Sequence, residues 1–326
     1  PFIVMPMTNK RTSKRRILIL VLGGAFFIVC TLAYVRYFAT FRFWMPPPVG
    51  AGPAGPVVPR EPFQRVWTDK AVVLLGVGDS VTAGFGASPG HSYFDLLVAN
   101  PEDEFADMRG ISLRKVMPNL KAMNIAVSGS DSLQHLSEQV GPLEPFPEDT
   151  LGIVVMTSGG NDLIHWYGRG TPKEGAMYGA TFDRAKPWVD NYRARLNTML
   201  DKLTTAFPGG CHIFLANIYD PSDGVGNPAA AGLPPWPDML RIHDAYNAAI
   251  EETAEAHDKV HVVDIHSTFL GHGVHCVQWW RPHYRWDDPH YWYFTNLEDP
   301  NDRGYDALRR LFLIEIEKAM QATTKI

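Results

Sequence analysis

AVVLLGVGDSVTAGFG, Ala71 to Gly86, is an apolar run that breaks abruptly into glycine and small polar residues. Its first part, Ala71 to Gly78, has the length and unbroken apolar character of a strand buried on both faces of a parallel sheet. Ser80 follows directly, at a tight turn expected to open a helix. A serine there points its hydroxyl into the crevice beyond the carboxyl end of the strand, where open parallel sheets hold their sites. The helix N-terminus beyond it favours developing negative charge. A serine that merely caps a helix has the same local sequence, so the surrounding chain must decide between the two roles.

Outward from this stretch the same grammar repeats. NIAVSG (Asn124 to Gly129), LGIVVMTSG (Leu151 to Gly159), CHIFLANIY (Cys211 to Tyr219) and KVHVVDI (Lys259 to Ile265) read as four more strands. Helical patterns separate them, at Val189 to Phe207 and Asp238 to Asp258, and a last helix is expected from Arg303 to Met320. Strands alternating with helices predict an α/β domain around a parallel sheet. Two further strands end in unusual text. SGSDS (Ser128 to Ser132) puts Gly129 where a backbone N–H can approach a ligand closely. SGGND (Ser158 to Asp162) puts the Asn161 amide at the same rim, although an asparagine helix cap would read alike.

The three blocks in order, GDS, a strand-terminal glycine and GGND, resemble the GDSL/SGNH hydrolase family of serine esterases and lipases, over roughly Val72 to Met320. The resemblance implies a three-layer α/β/α sandwich on a five-stranded parallel sheet, a flavodoxin-like arrangement. It also implies roles: Ser80 as nucleophile, with the Ser80 and Gly129 backbone N–H groups and the Asn161 side-chain amide as an oxyanion hole. The chemistry agrees, because the tetrahedral intermediate of ester cleavage carries an oxyanion that preorganised donors stabilise. No cofactor is expected.

The last block departs from the family pattern, DxxHPNxxG. The matching text is NLEDPNDRG, in which Pro300, Asn301 and Gly304 fit, but Asp299 stands where histidine is expected and Asn296 where the acid is expected. A carboxylate makes a poor near-neutral base unless its pKa is strongly shifted. Upstream, in HYRWDDPHYWYF, Asp287 and His290 have the family's acid-to-histidine spacing and are the expected relocated pair. His283 and His275 are the alternatives, and Asp299 is expected near the site. GHGVHC (Gly271 to Cys276), with His283, Asp287 and Asp288, offers metal-binding side chains, but its spacing fits no closed zinc pattern. The aromatics Trp279, Trp280, Trp286 and Tyr291 to Phe294 suit either a substrate pocket or core packing.

The formal charge of -5 is unevenly spread: Lys10, Arg11, Lys14, Arg15 and Arg16 precede any acid, and all 35 acidic residues lie from Glu61 onward. The acidic body argues against nucleic acid as a partner. After the basic cluster, Ile17 to Val35 is 19 residues without a charge, roughly 28 Å as a helix and so about the thickness of a bilayer core. Tyr34, Tyr37, Phe38 and Trp44 supply interfacial aromatics. An uncleaved anchor with a cytoplasmic N-terminus is expected, in preference to a cleaved signal peptide. Pro1 at the head of the sequence leaves Met5 and Met7 as candidate initiators. The predicted organisation is a basic tail (1–16), a transmembrane helix (17–38), a Pro/Gly-rich linker (39–63) and a hydrolase domain (64–326). Cys211 and Cys276 are the two cysteines outside the anchor and are not expected to form a disulfide scaffold. The functional expectation is a membrane-anchored hydrolase of acyl esters, of lipid or acylated carbohydrate. The alternatives are an acyltransferase on envelope glycans, and a degenerate domain that only binds glycans or a partner.

Overall fold

The computed structural model describes residues 10–40, 49–50 and 52–324, in two compact units, 1–45 and 46–326. The candidate initiators Met5 and Met7 lie outside the described residues, as do Trp44 and part of the expected linker. The first unit holds one helix, α1 (Lys10–Thr40). Its segment Lys14–Val35 is 22 residues long and apolar enough to cross a bilayer. Large apolar side chains such as Leu20 and Phe26 are exposed all along it.

The second unit is built on five parallel strands: β1 (Ala71–Val77), β2 (Leu120–Asn124), β3 (Thr150–Met156), β4 (Cys211–Ala216) and β5 (Val260–Val263). Their order in the sheet is β2-β1-β3-β4-β5, with all neighbours parallel. Nine α-helices follow α1 among the described residues: α2 (Ser80–Ala83), α3 (Tyr93–Val98), α4 (Leu113–Val116), α5 (Ser132–Gln134), α6 (Gly160–Ile164), α7 (Phe182–Ala206), α8 (Met239–Glu255), α9 (Ile265–Phe269) and α10 (Asp302–Thr324).

The period-two geometry of strands sends alternate side chains to opposite faces, and both faces are covered. Val72, Leu74, Ile153, Val155 and Phe214 pack with α3 and α10, whereas Val73, Leu75, Val154, Met156 and Ile213 pack with α7 and α8. In α7, Leu196, Met199, Leu200 and Leu203 fall on one face and are fully buried; burying each such side chain is worth about 1.5–3 kcal/mol. The result is the expected three-layer α/β/α sandwich.

Two local expectations differ. The second strand is Leu120–Asn124, ahead of the apolar Ile125 to Ser128. It is an edge strand with Lys121 and Ala122 exposed, so an apolar run is not what marks it. Ile125 and Val127 continue past it and donate to the carbonyls of Gly76 and Gly78 at 2.9 and 3.0 Å. The stretch expected to be a free linker is docked from Gly52 onward. Ala54 and Val58 are buried, the Ala54 N–H donates to Asp306 at 2.9 Å, and Arg303 donates to the Gly52 carbonyl at 3.0 Å. The aromatic segment divides: Tyr291, Trp292 and Tyr293 are core, whereas Trp279, Trp280 and Trp286 are exposed.

Candidate active site

Gly78, which ends the first apolar run, has φ +135°, and a Cβ there would sit 2.2 Å from the Thr157 carbonyl oxygen. Only glycine lets the chain turn here against β3. The turn delivers Asp79 as N-cap of α2, its carboxylate accepting from the Val81 N–H at 3.1 Å and the Thr157 hydroxyl at 2.8 Å. Ser80 is thus the first residue of the helical turn, half-buried and facing a cavity.

Hydrogen bonds tie the turns after β1, β2 and β3 together. The Ser130 hydroxyl donates toward the carbonyls of Gly78 (3.0 Å) and Val127 (2.7 Å). The Asn161 side-chain amide donates to the Ser130 carbonyl at 2.9 Å. Gly129 precedes Ser130 in a turn closed by Ser130 N–H to the Val127 carbonyl (3.1 Å); it has φ +83° and is exposed. Beneath these turns His135, fully buried, spans Ser130 and Ser158 at 2.9 and 3.0 Å. Burial pushes its pKa down to about 4, so it is neutral and bridges as a donor on one nitrogen and an acceptor on the other.

Ser80 and Asn161 line one cavity of about 130 Å³, with Leu163, Ile218, Leu233, Trp236 and Met239 among its apolar walls. An amide nitrogen carries two donors. One N–H of Asn161 holds Ser130; if Ser80 is the nucleophile, the other is the expected donor to the oxyanion. Replacing Asn161 by alanine is therefore expected to lower kcat about 100- to 1,000-fold, with KM little changed. Steady-state kinetics on a p-nitrophenyl ester checks this, and a loss smaller than about fivefold would remove Asn161 from the oxyanion site.

The structure does not bring the expected Asp287–His290 pair to Ser80. Both residues line a second cavity, with His272, Trp292 and Arg303. There His290 Nδ1 bonds to Asp288 rather than Asp287. Asp288 also accepts two bonds from Arg303, at 2.7 and 2.8 Å, and one from the Trp292 indole at 3.2 Å. A spacing of three therefore did not define the pair: Asp288, two residues before His290 and backed by a buried arginine, takes that place. Of the alternatives, His283 packs against Gly224 and Gly271, and His275 is buried, its backbone N–H donating to Asp223 at 2.8 Å. Among the described residues, His243 is the histidine that lines the Ser80 cavity. Its Nε2 is already committed to the Ile218 carbonyl at 2.9 Å.

Asp299, by contrast, has Ser80 among the side chains that act on its carboxyl, together with Asn296. Asn296 Nδ2 donates to Asp299 Oδ2 at 2.6 Å, while Oδ1 is buried and has no bond of full geometry in this conformation. Burial raises the Asp299 pKa above the ordinary carboxylate range, against the opposing influence of Ser80 and Asn296. Burial likewise pushes Asp79 up to about 6; the charge of Asp299 adds to this, while the Thr157 bond opposes it. The sequence places Asp299 near the site but says nothing of its burial, because desolvation is a tertiary property. Its register with the family histidine was the available signal. Among the described residues, no group of three His, Cys, Asp or Glu side chains is arranged to hold a metal ion.

The sequence from 77 to 307 matches the model of the GDSL-like Lipase/Acylhydrolase family. The chain belongs to that family. Its chemistry is accordingly ester hydrolysis. Among solved structures, this acylhydrolase is similar to a catalytic mutant of an acetylxylan esterase from Geobacillus stearothermophilus. That pair shares 20% identity with a TM-score of 0.47, covering 77% of this chain and 96% of the other. It is also similar to an extracellular lipase from Streptomyces rimosus, at 17% identity and TM-score 0.47, covering 77% and 99%. A phospholipase A1 from Streptomyces albidoflavus NA297 gives 16% identity and TM-score 0.42, covering 78% and 99%. Among curated proteins, none matches the sequence.

Proposed function

We propose that this acylhydrolase is a membrane-anchored serine esterase that forms an acyl-enzyme on Ser80 and takes substrates with an apolar acyl group of several carbons. The observation that carries the reading is that Ser80 lines a largely apolar-walled cavity together with Asn161. Gly129, one residue from the Ser130 carbonyl that Asn161 holds, supplies a backbone donor to the same oxyanion. Asp287 and His290 have no part in this reading.

The cavity, at about 130 Å³, is close to the ~150 Å³ that accepts benzene in an engineered core. An acetyl group leaves most of it empty. Each added methylene buried there is worth about 0.8 kcal/mol, or about fourfold in kcat/KM. The rate constant is expected to climb through the p-nitrophenyl acetate, butyrate and hexanoate series. A maximum at acetate would rule out the acyl-pocket assignment.

The anchor rests on α1, whose segment Lys14–Val35 has the length and apolarity of a membrane span. Lys14, Arg15 and Arg16 sit at its N-terminal end, which by the positive-inside rule puts the N-terminus in the cytoplasm and the hydrolase unit outside. Labelling the full chain with a fluorophosphonate, followed by peptide mass analysis, tests the nucleophile. One adduct is expected, on the peptide containing Ser80. An unlabelled Ser80, with hydrolysis intact, would leave the acyl-enzyme reading without support.

A further inference from the structure

We propose that Asp299 is the proton acceptor for Ser80, a buried carboxylate held by Asn296 in the place where the family pattern has histidine. The inference rests on Ser80 being the nucleophile and concerns the base alone.

Position is the first argument. Asp299 is 1% exposed, adjoins the Ser80 hydroxyl, and keeps Oδ1 unbonded while Asn296 fixes Oδ2 at 2.6 Å. The Asp299 backbone is held as well: its N–H donates to Asn296 Oδ1 at 3.2 Å and its carbonyl accepts from the Phe294 N–H at 2.6 Å. One oxygen is thus clamped and the other is left to serve the serine.

Charge is the second argument. An imidazole base becomes a cation and needs an anionic partner to stabilise it. A carboxylate base becomes neutral, so an acid at 296 would oppose the ionised ground state, whereas an amide donor suits it. Asn296 and Asp299 therefore form a self-consistent pair in place of acid and histidine. Burial, which disfavours the anion, makes Asp299 a stronger base than an exposed aspartate. Neutralisation also relieves repulsion from Asp79.

The steps balance without a further reactant. The Ser80 O–H bond breaks and its proton passes to Asp299 Oδ1. The serine oxygen bonds to the acyl carbon, and the carbonyl electron pair moves onto the oxygen facing Asn161. The tetrahedral species collapses, the ester C–O bond breaks, and the departing alkoxide takes the proton from the Asp299 carboxylic acid. Water then gives a proton to Asp299 while its oxygen adds to the acyl carbon, and Ser80 leaves with that proton restored.

The groups that face Asp299 are Asp79 from the β1–α2 turn, Glu298 from its own loop, Tyr167, Tyr219 after β4, and Tyr305 on α10. These are acids or phenols. The activity is carried by ionised Asp299, so it falls as pH drops through that group's raised pKa and is flat above it.

The test compares pH profiles of kcat and KM for the full chain on p-nitrophenyl butyrate. Asp299→Asn, nearly isosteric, is expected to lose about 100- to 10,000-fold in kcat, with KM little changed and no acid limb in what remains. Asn296→Asp combined with Asp299→His restores the family pattern. It is expected to recover at least about tenfold over Asp299→Asn, with the acid limb moved toward an imidazole value of about 6.5. Asp299→Asn retaining activity within about threefold of wild type, while Ser80→Ala is inactive, overturns the proposal. Activity retained by Ser80→Ala overturns the nucleophile assignment instead.

Discussion

Replacing Ser80 by alanine is expected to lower kcat/KM on p-nitrophenyl butyrate by at least about 10,000-fold, about 5.5 kcal/mol of transition-state stabilisation. The size follows from the proposed role of the hydroxyl. On that proposal no acyl-enzyme forms without it, and Asn161 and the neighbouring N–H groups are left to stabilise an oxyanion raised by water alone. The change is small for the fold, because Ser80 is half-buried at the first residue of a four-residue turn. The cap bond from Val81 N–H is made by Asp79, not Ser80, so the thermal midpoint should scarcely move. Loss of fluorophosphonate labelling should accompany loss of turnover. Retained turnover with an unchanged burst phase would end the serine mechanism.

The largest expected effect on stability lies at Arg309 in α10. Its guanidinium is buried and donates to Glu104 at 2.5 and 2.7 Å and to Asp306 at 2.8 Å. Asp306 also accepts from Arg310 at 3.0 Å and from the Ala54 N–H at 2.9 Å. Arg309→Met fills similar space but strands Glu104 and weakens the hold on Asp306. Removing one partner of such a buried pair costs about 3–5 kcal/mol, about 10 °C in midpoint for a domain of this size. The pH dependence has a definite sign. Burial alone would raise Glu104, but its Arg309 bonds outweigh this and hold its pKa below the ordinary value. A lowered acid contributes stability that is present above the unfolded pKa and lost as pH falls through the folded one. The deficit of Arg309→Met is thus largest near neutral pH and shrinks in acid, where the stranded carboxylate is protonated. Urea unfolding of the full chain in detergent at pH 7 and pH 4 measures it. A deficit below about 1 kcal/mol at pH 7 would show that the network is dispensable.

The α/β architecture was legible because its signals are local. Apolar runs such as Leu151 to Met156 need a sheet covered on both sides, and the spacing of Leu196, Met199, Leu200 and Leu203 suits a helix with one buried face. The blocks carrying Ser80, Gly129 and Asn161 were legible for the same reason: each is a turn that glycine and small polar residues specify within a few positions. The edge strand β2 was misplaced because an exposed edge carries no apolar mark. The expected linker, 39–63, reads as a spacer because its proline and glycine content says nothing of the contacts that dock Gly52 and Ala54 on α10.

By itself, the sequence determined that strands and helices alternate, that a serine follows the first of them, and that an apolar helix precedes the domain. These depend on neighbouring residues along the chain. Only the tertiary structure decided which side chain meets that serine. His290 has a suitable chemistry and spacing, yet Asp288 holds it in another cavity, while the loop after Trp292 buries Asp299 with Ser80 among its neighbours. A carboxylate's strength as a base is set by the water and charge around it, and those are supplied by residues distant in sequence.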